Sequence, residues 1–487
     1  MRAVQGKPEL ERLPVSLHCN NNSFHFATVS NMLIKYALKT STIAALGAMA
    51  LMVAPTHAAD LPSKKSAPVA ALPIPFNWNG LYVGASVGVG LSGTTVSAPA
   101  PSDVGNANSD NVGMTNYGLT TGFQAGYNFQ ISPSVVVGIE GEVGYLGTSR
   151  RQVNVNDPSL IFKSKSDFFG TLRPRIGYAW DRSLLFVTGG LAVVNVKNGF
   201  EDFGPPLVST SHAKVGYAVG AGLETALSSN WSVKAEYLYI DAGRTTVTDP
   251  ATPTNFLKFK NQYQVARFGL NYRFGDVGKI SPESSYNWSG FYAGLNLGTG
   301  AAATNSVPSN GIGQDGQVDD IYAAAFTGGV QAGYNAQFSK AMVVGAEADF
   351  GFFGASRTIC DINDCGSKSP LLLKSKSSYL GTARLRAGYA FDRSMIYATG
   401  GLAVMGTKNS FTNFGGPFIS ASNHKVGLAV GAGIETALTD KMSLKAEYLY
   451  VDTGHATATD PNDNTSFIRF KNSANVFRFG VNYKFGG

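Results

Sequence analysis

Acids and bases recur at matched places along this 487-residue chain. Glu140, Glu142, Glu224 and Glu236 are accompanied by Arg173, Arg175, Lys234, Arg267 and Arg273. Some 210 residues later Glu347, Asp349, Glu435 and Glu447 are accompanied by Arg384, Arg386, Lys445, Arg478 and Lys484. Each is the polar member of a run in which apolar and polar residues alternate, so all of them fall on one face of a strand. If those faces meet inside a narrow barrel, two chemistries are open. A wet lumen lined by them would select ions. A lumen just wide enough for side chains would make them pair, since unpaired buried charge is costly. The near balance of sign and an eight-strand unit favour pairing, an interior charge network that acts as a plug.

Other reactive groups are sparse. Beyond residue 58 the histidines are His212, His424 and His455. His212 and His424 lie one residue out of register between equivalent segments, and Ser211 beside His212 reads as loop composition, so no nucleophile and base recur as a pair. No catalytic residue is assigned, and no cofactor is implied. Cys360 and Cys365, in CDINDC, suit a local disulfide in an exported protein, whereas two thiols with no histidine nearby make a poor metal site. Lys163 and Lys165, repeated as Lys374 and Lys376 in two KSKS segments, are placed to meet phosphate as point charges.

The elements that must position these groups are set by a duplication. FNWNGLYVGASVG from Phe76 returns as YNWSGFYAGLNLG from Tyr286, and KVGYAVGAGLETAL from Lys214 returns as KVGLAVGAGIETAL from Lys425. That unit is domain-sized, far longer than a solenoid repeat. Within each copy about eight alternating strands are predicted. Val135, Val137, Ile139, Val143 and Tyr145 share one face, and Phe268, Leu270, Tyr272 and Phe274 share another. Tight connections, at Ser132-Pro133-Ser134, Asp181-Arg182-Ser183 and Ser228-Ser229-Asn230, alternate with long polar ones. This asymmetry, with aromatic residues such as Tyr82, Tyr127, Tyr145, Tyr178, Trp180, Trp231 and Tyr272 toward strand ends, is that of a transmembrane β-barrel.

Composition agrees with export to a membrane. Gly accounts for 57 residues and charged side chains for only 15%, low for a water-soluble protein. From Met32 the chain reads as a secretory signal peptide, with Lys35 and Lys39, an apolar stretch to Val53, and small residues at Thr56 and Ala58. Cleavage after Ala58 removes five bases and two acids, leaving a formal charge of +4 in place of +7. Nothing here points to nucleic acid. Residues 1–31 are expected to be an upstream extension, 32–58 the signal and 59–75 a Pro- and Ala-rich periplasmic tail. The repeats occupy 76–275 and 286–487, joined by a linker at 276–285.

The motifs have a family resemblance. W-x-G-x-Y-x-G opens each copy (Trp78, Gly80, Tyr82, Gly84; Trp288, Gly290, Tyr292, Gly294). GTLRPRIGYAWDR and GTARLRAGYAFDR, KAEYLYID, and the closing RFGLNYRF and RFGVNYKF follow in the same order. The chain resembles the RopB-type family of small outer-membrane proteins, within the OmpA-like and OmpX-like eight-stranded barrels. The resemblance implies a Gram-negative envelope protein associated with lipopolysaccharide, delivered by the barrel-assembly machinery, without chemistry of its own. Phe485 is followed by Gly486 and Gly487, a departure from the terminal aromatic common in that family. The expected fold is an all-β tandem of two eight-stranded antiparallel barrels. One sixteen-stranded barrel, which would be a porin for small hydrophilic solutes, is the alternative.

Overall fold

A computed structural model describes residues 76–99, 102, 109–153, 159–201, 208–275, 286–309, 319–360, 372–412 and 419–486. The expected signal peptide with Ala58, the expected tail at 59–75, the expected linker at 276–285 and Cys365 lie outside the described residues. Copy one consists of β1 (Gly80–Ala98), β2 (Ser109–Ser132), β3 (Val135–Val153), β4 (Ile161–Trp180), β5 (Ser183–Glu201), β6 (Val208–Ala226), β7 (Trp231–Thr248) and β8 (Phe256–Arg273). Each strand pairs antiparallel with the next, and β8 returns to β1, with Val87 opposite Phe268. The barrel is closed.

Copy two repeats this with β9 (Gly290–Pro308), β10 (Asp319–Gln337), β11 (Met342–Cys360), β12 (Leu372–Phe391), β13 (Ser394–Phe411), β14 (Ile419–Asn423), β15 (Val426–Ala437), β16 (Met442–Asp460) and β17 (Asp463–Phe485). Its ring closes through β9 and β17, with Leu297 opposite Phe479. Nine strands fill eight places, because β14 and β15 both pair with β13 and together occupy the place of β6. The sixteen-stranded alternative does not hold. It would need β8 to pair with β9, whereas each closing strand pairs with the opening strand of its own copy.

The strands are longer than a bilayer requires. Most run 18 to 20 residues, against roughly 9–11 for a tilted transmembrane strand. Polarity inverts along them accordingly. In the half nearer the tight turns, side chains such as Val143, Leu172 and Leu191 point outward and stay exposed while charged ones point inward. Toward the long loops the inward positions become apolar, first Leu146, Phe169, Val194, Ile240 and Val265, then Val96, Phe162, Phe200, Val247 and Phe259. The outward positions there carry Lys165, Lys197 and Lys258 instead. One half suits lipid outside, the other water outside.

The two copies pack through β6, β7, β8, β1 and β2 on one side and β15, β16, β17, β9 and β10 on the other. The contacts are reciprocal. Ser183 Oγ and Thr436 Oγ1 are 2.8 Å apart, as are Thr225 Oγ1 and Ser394 Oγ, and each pair is the other displaced by one repeat. Arg182 meets Asp392 at 3.1 Å, while Arg393 approaches Asp181 at 4.0 Å. Leu223, Ala235 and Ala266 pack against Ile434, Ala446 and Phe477. Arg150 reaches Asp320 of copy two, and Arg357 reaches Thr95 of copy one. The arrangement has a pseudo-two-fold axis, as in an isologous dimer.

Candidate functional site: the ion-paired barrel interiors

Alternation along β3, β4, β6, β7 and β8 aims the predicted charges at one another. Arg173 on β4 is the hub of copy one: Nη2 donates to Glu140 Oε1 at 2.7 Å and to Glu142 Oε2 at 3.2 Å, and Nη1 to Glu236 Oε1 at 3.1 Å. Arg267 on β8 forks between Glu142 and Glu236. Lys234 Nζ holds both oxygens of Glu140, at 2.9 and 3.0 Å, and Arg175 Nη1 donates to Glu224 Oε2 at 3.2 Å. Side-chain exposure across these groups is 0–3%. Inward Gly84 and Gly88 on β1 make the room. A Cβ at Gly88 would sit 2.5 Å from that of Arg267.

Copy two rebuilds the constellation with one change of side chain. Arg384 Nη2 meets Glu347 at 2.7 Å and Asp349 at 2.9 Å, and its Nη1 meets Glu447 at 3.0 Å. Arg478 bridges Asp349 and Glu447, Lys445 holds Glu347 at 2.7 Å, and Arg386 holds Glu435. Asp349 stands where copy one has Glu142. The shorter acid is met by Thr382 Oγ1, which donates to it and accepts from Arg384 Nε at 2.8 Å.

Two predicted members are placed differently. Arg273 is buried, but no carboxylate lies within ion-pair distance of it among the described residues. Its guanidinium sits 4.2 and 4.3 Å from the ring centres of Phe76 and Trp78 and donates to the Asn77 carbonyl. Lys484, its counterpart, lies at the mouth, 4.6 Å from the Tyr286 ring, and donates to the Asn287 carbonyl. The W-x-G-x-Y lead-in to β1 folds across the tight-turn end and offers π-faces and a carbonyl at that level, where a cation satisfies both. Without these two residues, each network holds four acids and four bases, which neutralises the low-dielectric core.

The polar partners escaped the sequence reading. Tyr82 points inward, not into an outer aromatic girdle, and donates to Glu140 Oε2 at 2.8 Å; Tyr292 does the same to Glu347. Parity carried the signal, because Trp78, Gly80, Tyr82 and Gly84 share one face. Gln124, Asn128, Asn271 and Ser232 complete the shell, Ser232 donating to Glu224 Oε1 at 2.6 Å. Trp180 is also no girdle residue, since it lies between the barrels, with Nε1 3.4 Å from the Ala437 carbonyl.

The remaining candidates lie apart from this core. Lys163 and Lys165 face outward on β4, ion-paired to Glu201 at 2.8 Å and Asp167 at 3.0 Å, and Lys374 and Lys376 are exposed at the same places on β12. Cys360, the last residue of β11, is disulfide-bonded. His424 Nδ1 is 2.8 Å from the Tyr379 hydroxyl on the outer surface, and the His455 carbonyl accepts from Lys425. Ser211 and His212 are consecutive strand residues, whose side chains point to opposite faces.

Comparison with known proteins accords with this geometry. The family described as "Outer membrane protein beta-barrel domain" matches residues 44–274 and again 278–485. The 31 kDa outer-membrane immunogenic protein of Brucella melitensis biotype 1 is 34% identical over 246 residues, covering 49% of this chain and all of the relative. The 22 kDa outer membrane protein of Rhizobium leguminosarum bv. viciae is 30% identical, covering 42% of this chain and 81% of the relative. Among solved structures, Neisserial surface protein A aligns over 40% of this chain and 98% of its own, at 20% identity and a TM-score of 0.22. With two matched segments spanning most of its length, the chain belongs to the outer membrane protein beta-barrel domain family, carries that domain twice and resides in the outer membrane.

Proposed function

We propose that the protein is a non-catalytic structural component of the Gram-negative outer membrane, a fused pair of plugged barrels that associates with lipopolysaccharide through its outer surface. The observation that carries this reading is the filled interior. Four acids and four bases per copy interlock with almost no solvent exposure at the level where the outward side chains are apolar. A charge held by several partners in a low-dielectric core offers no water path for a solute. Apolar layers above and below it, around Val194 and around Trp78, add two more dry constrictions. Support for lipopolysaccharide as the partner comes from the half-buried Lys163 and the exposed Lys165, Lys374 and Lys376 near the upper edge of the apolar band.

Single-channel recording of the folded chain in a planar bilayer tests the plug. Silence or rare small openings is the expected result. Large, stable, ohmic steps would overturn it and restore a channel function.

A further inference from the structure

Above the last exposed outward apolar residues the two copies carry the same row of side chains. In copy one it crosses four strands, Ser149 on β3 opposite Lys165 on β4, Lys165 opposite Lys197 on β5, and Lys197 opposite Ser211 on β6. In copy two it runs Ser356, Lys376, Lys408, Ser422 across β11 to β14. All eight side chains are exposed. Two lysines directly opposite on one face repel and destabilise a sheet, yet the pair stands in both copies. Just below each row lies an outward aromatic pair, Tyr145 with Phe168 and Phe350 with Tyr379. That is the edge of the lipid-facing band.

The two rows differ in compensation. In copy one Lys165 is paired to Asp167 at 3.0 Å and Lys163 to Glu201 at 2.8 Å. Copy two has Ser378 and Thr412 at those places. Among the described residues, no carboxylate lies within ion-pair distance of Lys374, Lys376 or Lys408.

We propose that each Ser-Lys-Lys-Ser row is a docking site for the phosphate groups of outer-leaflet glycolipid, and that the uncompensated row of copy two is the stronger. This rests on the reading of the protein as lipopolysaccharide-associated. A phosphate between two ammonium groups turns their repulsion into two charge-assisted contacts, and the flanking hydroxyls supply neutral donors. The rows open sideways at the membrane edge, where a lipid headgroup lies and its acyl chains meet the aromatic pair below.

The test titrates the folded full chain, in neutral detergent, with bis-phosphorylated lipid A and with its dephosphorylated form. Wild type is expected to bind the phosphorylated form more tightly. Lys376→Gln/Lys408→Gln should weaken that binding about tenfold, roughly the value of one lost charge-assisted contact, and Lys165→Gln/Lys197→Gln should weaken it less. Lys258→Gln/Lys260→Gln removes equal charge elsewhere and should leave it unchanged. Unaltered affinity in the copy-two variant, with wild type still discriminating the two lipids, would overturn this site and leave lipopolysaccharide association standing. Failure of wild type to discriminate would remove the association itself. A larger loss from the copy-one pair would overturn the asymmetry, and full displacement by inorganic phosphate at equal phosphate concentration would overturn a lipid occupant. Heat-modified gel migration checks folding of every variant.

Discussion

Arg173 and Arg384 each hold three carboxylates that have no water to turn to. Replacing either with Met leaves four buried carboxylates to three remaining cations, and breaking such pairs costs about 3–5 kcal/mol. Urea unfolding of the protein in lipid vesicles is expected to show that loss for Arg173→Met and for Arg384→Met, whereas Lys165→Gln should stay within about 0.5 kcal/mol. A second residue-scale expectation concerns the turn between β12 and β13. Burial pushes the Asp392 carboxyl above its usual pKa, against the pull of Arg182 and with Asp181 nearby adding to the rise. An acid with a raised folded pKa binds more protons folded than unfolded, so its contribution declines as pH rises from the ordinary aspartate value to the raised one. Asp392→Asn should flatten that part of the stability-versus-pH curve without disturbing the turn, because Asn also accepts the positive φ of 51° found there. At this scale the sequence was informative where parity alone decides. Glu140 and Arg173 were placed by alternation, but Arg273 was not, since nothing in a strand pattern says that Phe76 and Trp78 fold back beneath it.

Strands of this length carry two environments in one element. The inward face is charged beside lipid and apolar beside water, so a single apolar-out, polar-in rule describes only half of each strand. That inversion is why the upper inward clusters around Phe162 and Val194 were not anticipated. The break in copy two was equally illegible. β6 is continuous through Ala213 and Lys214, which pair with Asn195 and Val194, whereas His424 and Lys425 fall between β14 and β15 and pair with neither neighbour. Tyr379 lies against Gly406 there, and its hydroxyl meets His424. Amide hydrogen exchange should therefore be faster at His424 and Lys425 than at Ala213 and Lys214. Equal protection at the two places would contradict the break.

The duplication, the strand count and the closing of each copy on itself could be read from repeated motifs, because each copy brings its own first and last strand. How the copies meet could not, since outward apolar residues look alike whether they face lipid or a second barrel. Gln264 illustrates this: an outward amide among apolar neighbours is a poor lipid-facing residue, and it donates instead to the Tyr322 hydroxyl of the other copy at 2.6 Å. The reciprocal contacts make the linker dispensable for association. A protease site placed within 276–285 and cut after folding should leave two fragments that co-purify, and Ser183→Cys with Thr436→Cys should cross-link them. Fragments that separate on cutting would count against the interface.

The pseudo-two-fold axis has a consequence for reach. It turns the closing seams β1/β8 and β9/β17 toward each other and leaves β4 and β5, beyond their tight-turn ends, looking away from their counterparts β12 and β13. A single barrel has one such face and can only be coated by what it binds. Two faces set back to back on one chain can be gripped from both sides at once, so the molecule can act as a rivet between separate patches of the leaflet around it.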